Sequence, residues 1–498
     1  MGQTRPISGS GRLSHFIVPL ALVLFALAVR LPWLVERPFH TDEAVNVFIL
    51  EELWERGYQY RAHDHHGPLL HYVSAALLPV FGIDAPGKME AWMLRLFTAL
   101  AGAGLVGAVY LLRPYITAPT AHATAALLAL SAPFVYYSGI YIHESVLVLL
   151  LLLYTGCLWR SLSTAEHRWT VLSGVLAGLM LGTKETAALL LLLFTAVLAA
   201  FHPRARAGSE PAPRSPQDSP LRVVARLGAI VALALVTVLF LYSDLGRHPS
   251  RALDLFAAIG PQVGRGLGQE HAYPWWTYLE WAAKPNRVGV PWSGWVAGVG
   301  LLGAWVVRRD RFLSALACGG VLSLLVFSLL PYKTPWLMLA WLLPFAVLAG
   351  HLLASLWQHS RLGAVAVGGC VAALLSFELH ARCGVHGADP ENPLAYSPTS
   401  PDQARLEHDV ETLASGLAPG RAIPVHVVAR DYWPLPWTLR RFPNTGFWSE
   451  PTAVPDDAVV LTGPEYLEHY ATSGELRPYE LRPGVFIFFR EPVTQQTK

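Results

Sequence analysis

Long apolar runs broken by short polar loops set the pattern of this chain from Phe16 to Phe377. Phe16–Leu34, Ala91–Leu112, Ala118–Ser138, Ser145–Trp159, Val171–Gly182, Ala187–Phe201, Val223–Tyr242, Pro291–Val307, Phe312–Leu330, Pro335–Leu356 and Leu362–Phe377 are expected to cross a membrane, about eleven spans in all. A hydrocarbon core of roughly 30 Å takes about 20 apolar residues in a helix, and the longest runs reach that length unaided. Gly67–Gly82 is also apolar, but a proline lies near each end and His71 sits inside, so it reads as an interfacial or re-entrant helix. From Thr41, Val45, Phe48, Ile49 and Leu53 recur at helical spacing with Thr41 as N-cap, which predicts a short amphipathic helix along the membrane surface. After Phe377 the pattern changes. The runs "IPVHVVA", "AVVLTG" and "GVFIFF" alternate with helix-compatible stretches such as "PEYLEHYA". That predicts a small α/β domain over residues 381–498 behind a membrane domain over 1–380.

Composition sharpens the class. Hydrophobic residues make up 53% of the 498 and charged residues 14%, against about 25% charged in an ordinary soluble chain. This is a polytopic α-helical membrane protein by composition. A net charge of +2 gives no whole-protein case for nucleic-acid binding. Four cysteines give no disulfide framework. The "ALA" at Ala26–Ala28 sits inside a run that continues to Leu34, so the first span is expected to stay as an uncleaved anchor. The Pro/Ser/Arg-rich stretch Pro203–Pro220 is expected to be a mobile linker.

Basic loops set the orientation. If Gly67–Gly82 does not cross, one side receives Arg5, Arg12, Arg113, Arg160, Arg168, the arginines of 204–226, "RRDR" at Arg308–Arg311, and Arg361. That side is then cytoplasmic, with the N-terminus inside and the C-terminal domain outside a plasma (inner) membrane. The chemically rich loops all fall on the opposite, outer face: "RPFHTDEAVN" from Arg37, "HDHHGP" from His63, "YIHE" from Tyr141, "TKET" from Thr183, "HAYPWWTYLEW" from His271 and "PYKTPW" from Pro331.

Each charged group there has a plain reading and a chemical one. Asp42 and Glu43 suit the first turn of a helix, where acids complement the dipole. The company of His40, His63, Asp64, His65, His66 and His71 argues for more. His143 and Glu144 stand at the mouth of a span. Lys184 and Glu185, between two apolar runs, either neutralise each other or serve a ligand; a charge left at mid-bilayer would cost about 2.5–3.5 kcal/mol. Lys333 is a lone cation that either snorkels or meets an anion. Trp275, Trp276, Trp281 and Trp292 suit an interfacial belt better than sugar stacking. The histidines lack the i, i+4 spacing of a zincin pair, while Asp42 with Glu144 would suit a divalent ion as cofactor.

Taken in order, these motifs resemble the GT-C membrane glycosyltransferases of the protein O-mannosyltransferase-like and aminoarabinose-transferase-like kinds, and within those the flippase-activity-associated glycosylation proteins. The carrying residues are the pair Asp42–Glu43, "GPLLHY" before "RLFTALAGA", "YYSGIYIHESVL" with Glu144, "TKETA" and "YKTPWL", together covering about residues 1–380. The aminoarabinose-transferase kind carries a lysine ahead of its Pro-Leu helix, where this chain has His66-Gly67. The resemblance implies transfer of a sugar from a polyprenyl-phosphate carrier to a glycan, lipid or protein acceptor on the outer face. The expected catalytic residues are Asp42, Glu43 and Glu144, with Asp42 as general base of an inverting attack. Donor and acceptor contacts are expected from His40, His65, His66, His143, Lys184, Glu185, His271, Tyr332 and Lys333. A transporter or flippase would instead carry its ionisable groups near the midplane in broken helices of paired repeats, and no repeat is present here. A non-catalytic component of a lipid-linked glycan pathway would have no use for the acids.

Overall fold

The computed structural model describes residues 9–61, 66–84, 86–164, 166–202, 220–257, 259–268, 271–417, 423–471 and 476–492. The stretch "HDHHGP" through His65, and most of the linker from Pro203, lie outside those residues.

Every apolar run becomes helix, but the spans differ in length. Among the described residues seven helices are long and apolar enough to cross a membrane: Phe16–Glu36, Ala91–Leu112, Glu144–Ser163, Leu221–Tyr242, Arg311–Leu329, Pro335–His359 and Arg361–Val385. An eighth span is a pair, Ala118–Leu130 and Ala132–Ser138, bent by 60° at Ser131. There the two prolines of the runs, Pro119 and Pro133, each open a helix, as a residue without an N–H does best. The remaining three expected spans are shorter: His167–Leu181 and Ala187–Phe201 have 15 residues each and Trp292–Gly303 has 12. The chain is a multi-pass membrane protein, with fewer full-length spans among the described residues than the runs suggested. Gly67–Gly82 folds as a helix Leu69–Leu77 and a tight turn Leu78–Phe81. At 1.5 Å per residue it rises roughly 20 Å and does not cross on its own.

Close packing comes from small residues. Gly174, Gly178 and Gly182 fall four apart on one face of His167–Leu181 and its cap. A Cβ at these positions would come within 2.4–2.5 Å of Leu233, Thr237 and Leu241 on the facing span. Only glycine permits that approach, the usual device where helices pack within lipid.

The C-terminal domain is a five-stranded sheet, β1 (Val425–Val428), β2 (Thr445–Trp448), β3 (Val459–Thr462), β4 (Arg477–Arg482) and β5 (Val485–Arg490), in the order β2-β1-β3-β5-β4. β1 runs parallel to both neighbours, and β5 runs antiparallel to β3 and β4. Gly484, at φ +78°, closes the β4–β5 turn behind Pro483. One sheet face packs on the helix Asp402–Leu417 through Leu406, Val410 and Ala414. Cys383, Leu394 and Ala395 belong to the core of the membrane part, and the second core starts at Leu406. The segment between them is tied down by Tyr136, whose hydroxyl donates to the Gly387 carbonyl at 2.6 Å, and by Tyr137, which donates to that of Leu394 at 3.0 Å.

Candidate active site

The acid pair opens the surface helix Thr41–Arg56. His40, rather than Thr41, is its N-cap. The His40 Nδ1 accepts the Asp42 N–H at 3.1 Å, and the Glu43 carboxylate reaches back to the His40 N–H at 2.8 Å, closing a capping box. His40 Nε2 lies 2.8 Å from the Tyr396 carbonyl oxygen. An N–H on one side and a carbonyl on the other leave one tautomer, protonated on Nε2.

The two acids then diverge. Glu43 is fully buried, with 0% of its surface exposed. Arg95 grips it from two nitrogens, each at 2.7 Å, and the Tyr141 N–H adds a bond at 2.7 Å. Burial raises the pKa of such a carboxyl, but the Arg95 charge and these hydrogen bonds more than reverse it and hold Glu43 below its ordinary value. With its oxygens held by Arg95, His40 and Tyr141, Glu43, expected as a catalytic residue, is committed within the fold. It fixes the turn. Asp42 is the opposite: its side chain is 45% exposed, and His40 Nδ1, the nitrogen that accepts its backbone N–H, lies 4.0 Å from its carboxylate.

A second group lies across the turns at 141–144 and 182–186. Lys184 and Glu185 do not pair with each other. Lys184 binds Glu144 in a buried ion pair and stands 5.6 Å from the Trp336 ring centroid, while Glu185 accepts from His66 Nδ1 at 2.9 Å. Successive loop residues point apart, so each found a partner elsewhere. Burial alone would push the Lys184 ammonium down, and the Glu144 carboxylate reverses this and holds it above its ordinary value. Its charge is therefore already balanced. Breaking this pair from one side leaves a buried charge alone, costing roughly 3–5 kcal/mol. Lys184→Met is expected to lower the yield of folded protein from membranes, and Lys184→Met with Glu144→Gln to restore much of it; a double variant as poor as the single would remove the pairing from the stability of the fold.

His143 stands beside this group with its ring centroid 5.2 Å from His66 and 5.5 Å from His71. It is buried, which together with the neighbouring His66, His71 and Lys184 pushes its pKa well below the ordinary value and keeps it neutral. It lines the site beside His66 and His71.

The third group joins the loops at 271–273 and 331–336. The Lys333 N–H donates to the His271 carbonyl at 3.1 Å, the Tyr273 N–H to that of Pro331 at 3.1 Å, and Ala272 bridges Tyr332. His271 adopts a left-handed backbone, φ 54°, that a non-glycine residue takes only where surrounding contacts enforce it. The Lys333 ammonium is 1% exposed and donates to the carbonyls of Tyr273, at 3.1 Å, and Leu330. Among the described residues no carboxylate pairs with it, and burial pushes its pKa down. The Tyr396 hydroxyl meets His271 Nδ1, and its ring packs edge-on against Trp336 at 5.7 Å. Burial, then the nearby Tyr273, Tyr332 and Asp42, pushes that phenol up. With its carbonyl on His40 and its hydroxyl on His271, Tyr396 links the turn before Asp42 to the cationic loop.

The structure thus gathers Asp42, Glu43, His40, His66, His143, Glu144, Lys184, Glu185, His271, Tyr332 and Lys333 around one end of the helices. Among the described residues no three His, Cys, Asp or Glu side chains stand where they could hold a metal ion. Glu144, the expected partner of Asp42 for a divalent ion, is committed to Lys184, so this donor set does not fit that ion. Arg95, Tyr141, Trp336 and Tyr396 complete the site and were not singled out by sequence. Arg95 had a signal: it is a charge inside an apolar run, which demands a partner. Tyr396 had none, since it lies about 60 residues beyond the last loop motif.

The fold is a bundle of spans with short helices between the first two and a small sheet domain behind, an architecture shared with solved membrane proteins. ArnT from Cupriavidus metallidurans bound to undecaprenyl phosphate superposes with a TM-score of 0.64 at 15% identity, over 97% of this chain and 98% of that one. The oligosaccharyltransferase AglB from Archaeoglobus fulgidus, in complex with an inhibitory peptide and a dolichol-phosphate, gives 0.57 at 14% identity, over 97% and 74%. At the level of sequence, the family model for dolichyl-phosphate-mannose-protein mannosyltransferases matches residues 65–213. An undecaprenyl phosphate-alpha-4-amino-4-deoxy-L-arabinose arabinosyl transferase of Pseudomonas aeruginosa (strain LESB58) is 39% identical over 98 residues, 20% of this chain. Its second form in Pseudomonas fluorescens (strain Pf0-1) is 34% identical over 110 residues, 22% of the chain. These stretches span only 17% and 19% of the relatives' own lengths.

Proposed function

We propose that this protein transfers a sugar from a polyprenyl-phosphate carrier to an acceptor hydroxyl at the outer face of the plasma (inner) membrane, with inversion and with Asp42 as general base. The observation that carries the reading is a pairing of opposites among the described residues of the site: a half-exposed carboxylate with no lysine or arginine holding it, and Lys333, a buried cation with no carboxylate. The likeness to structures bound to undecaprenyl phosphate and dolichol-phosphate supports the donor class. The clustering of the described parts of the chemically rich loops at one end of the helices supports the orientation.

Asp42 takes the proton of the acceptor hydroxyl as its oxygen attacks the anomeric carbon. The bond from that carbon to the phosphate oxygen breaks, and its electron pair leaves with the phosphate. Phosphate is already a good leaving group, so a single carboxylate suffices where glycoside hydrolysis needs two. Lys333 gives up a carbonyl contact to meet the departing anion. His40 and Glu43 hold the base in place, and His271, Tyr332 and Tyr396 face the reacting groups.

Membranes carrying the protein, given a radiolabelled polyprenyl-phosphate sugar and extracted envelope acceptors, are expected to move label into the acceptor fraction. Label that crosses the bilayer while still on its carrier would point to a flippase. For Lys333→Ala the KM for the donor should rise about 10- to 100-fold, the loss of a charge-assisted hydrogen bond worth roughly 1.5–3 kcal/mol. The acceptor KM should stay the same. An unchanged donor KM would take Lys333 out of phosphate binding.

A further inference from the structure

The turn that carries Asp42 is held from two sides by different parts of the chain. Within the membrane part, Arg95 grips Glu43 and lies 5.2 Å from the centroid of the Phe39 ring. On its other flank Phe39 stacks on Trp437 of the C-terminal domain, centroids 3.8 Å apart and planes within 17°. Arg440 covers Trp437 at 3.8 Å and donates through Nε to the Met89 carbonyl at 3.3 Å, while Arg441 pairs with Glu90 at 2.6 Å. Phe48, two turns along the surface helix, meets the edge of Trp433 at 6.3 Å. Two hydrogen bonds fix the backbone itself: Thr399 Oγ1 donates to the Phe39 carbonyl at 2.8 Å, and His40 is held by the Tyr396 carbonyl. The residues just before Asp42 are therefore anchored from both parts of the chain: Arg95 also donates to the carbonyls of Leu34, Arg37 and Pro38, while Tyr396, Thr399 and Trp437 hold His40 and Phe39 from beyond residue 395.

We infer that the C-terminal domain is part of the catalytic apparatus, with Trp437 a positioning residue that sets Asp42 through Phe39 and His40. Trp437 is 8% exposed and touches no reacting group. It acts through a continuous stack, Arg440 on Trp437 on Phe39 on Arg95, that ends at the Glu43 carboxylate of the capping box. A base must be held to within a fraction of an ångström of its proton, and a displacement of about 1 Å can cost on the order of a hundredfold in rate. An aromatic stack in a desolvated joint supplies that rigidity at low entropy cost. The inference rests on the transfer reading above for its kinetic arm only.

Purified Trp437→Ala in detergent or nanodiscs is expected to lose kcat by about 10- to 100-fold, with the donor KM and the binding of undecaprenyl phosphate alone within about twofold of wild type. Trp437→Phe, which keeps a ring to stack, should recover to within about threefold. Amide hydrogen exchange over residues 38–46 should speed up in Trp437→Ala by about an order of magnitude while the spans stay protected. Should Trp437→Ala fail to fold, Thr399→Val, which removes one hydroxyl and no volume, is expected to shift exchange and kcat in the same direction by less. Unchanged exchange over 38–46 would overturn the coupling, and faster exchange with an unchanged kcat would overturn its role in positioning. A parallel fall in lipid binding would mark Trp437 as merely structural. If wild-type protein transfers no sugar from any polyprenyl-phosphate donor, the transfer reading fails by itself, and the exchange experiment still decides whether the two parts are coupled.

Discussion

Asp42→Asn is expected to lower sugar transfer by about 10²- to 10⁴-fold, the range for loss of a general base, while leaving expression, membrane insertion and the melting temperature at wild-type values. The two halves of that expectation come from one feature. The Asp42 side chain is half exposed and holds no other group in place, whereas the hydrogen bond that starts the helix uses its backbone N–H. An amide of the same size keeps that bond and loses only the ability to take a proton. Kinetics on purified variant and wild type, with matched thermal unfolding curves, test it. Near-normal turnover by Asp42→Asn would remove this residue from the mechanism. A collapse in stability would mean that the carboxylate, and not only the backbone, shapes the turn.

The second large effect belongs to the neighbouring acid and is of the opposite kind. Arg95→Leu is expected to destabilise the fold by about 3–5 kcal/mol, because it strands the Glu43 carboxylate without its ion-pair partner. Activity should fall with the folded fraction. Arg95→Leu combined with Glu43→Gln should regain part of the stability but not the activity, since the amide no longer completes the same capping box. The sign of the pH effect follows from the depressed pKa of Glu43. Its contribution to stability is present above the ordinary carboxylate value of about 4.5 and is lost as pH falls through the lower value in the folded state. Acid unfolding of wild type should therefore be steeper than that of the double variant. Equal acid sensitivity would show that the buried pair does not govern it.

Much of the site was legible in the sequence because a bilayer sorts loops by charge. Counting arginines placed six polar loops on one face, and the structure brings the described parts of those loops together at one end. What could not be read was partnership. Glu43 looked as available as Asp42, since its partner Arg95 lies 52 residues away on another helix. Lys184 and Glu185 looked like a mutual pair because they are adjacent, although neighbours in a turn face different ways. In the soluble domain the runs "IPVHVVA", "AVVLTG" and "GVFIFF" gave β1, β3 and β5. The strands β2 and β4 escaped notice. β4, "RPYELR", is polar at four of its six positions and buries only Tyr479 and Leu481, and β2 has four residues, all half-exposed. The late start of the second core was hidden for a similar reason: residues 383–396 look polar in sequence, yet they line the membrane bundle.

The two fifteen-residue helices that flank "TKET" rise roughly 22 Å each, some 8 Å short of a typical hydrocarbon core. Such hydrophobic mismatch is relieved by thinning the surrounding lipid or by letting the connecting turn ride below the headgroups. Thinning would bring the headgroups down to the turn that carries Lys184, whereas a sunken turn would leave it below them. Host bilayers of shorter acyl chains should suit this protein better than thick, sterol-stiffened ones.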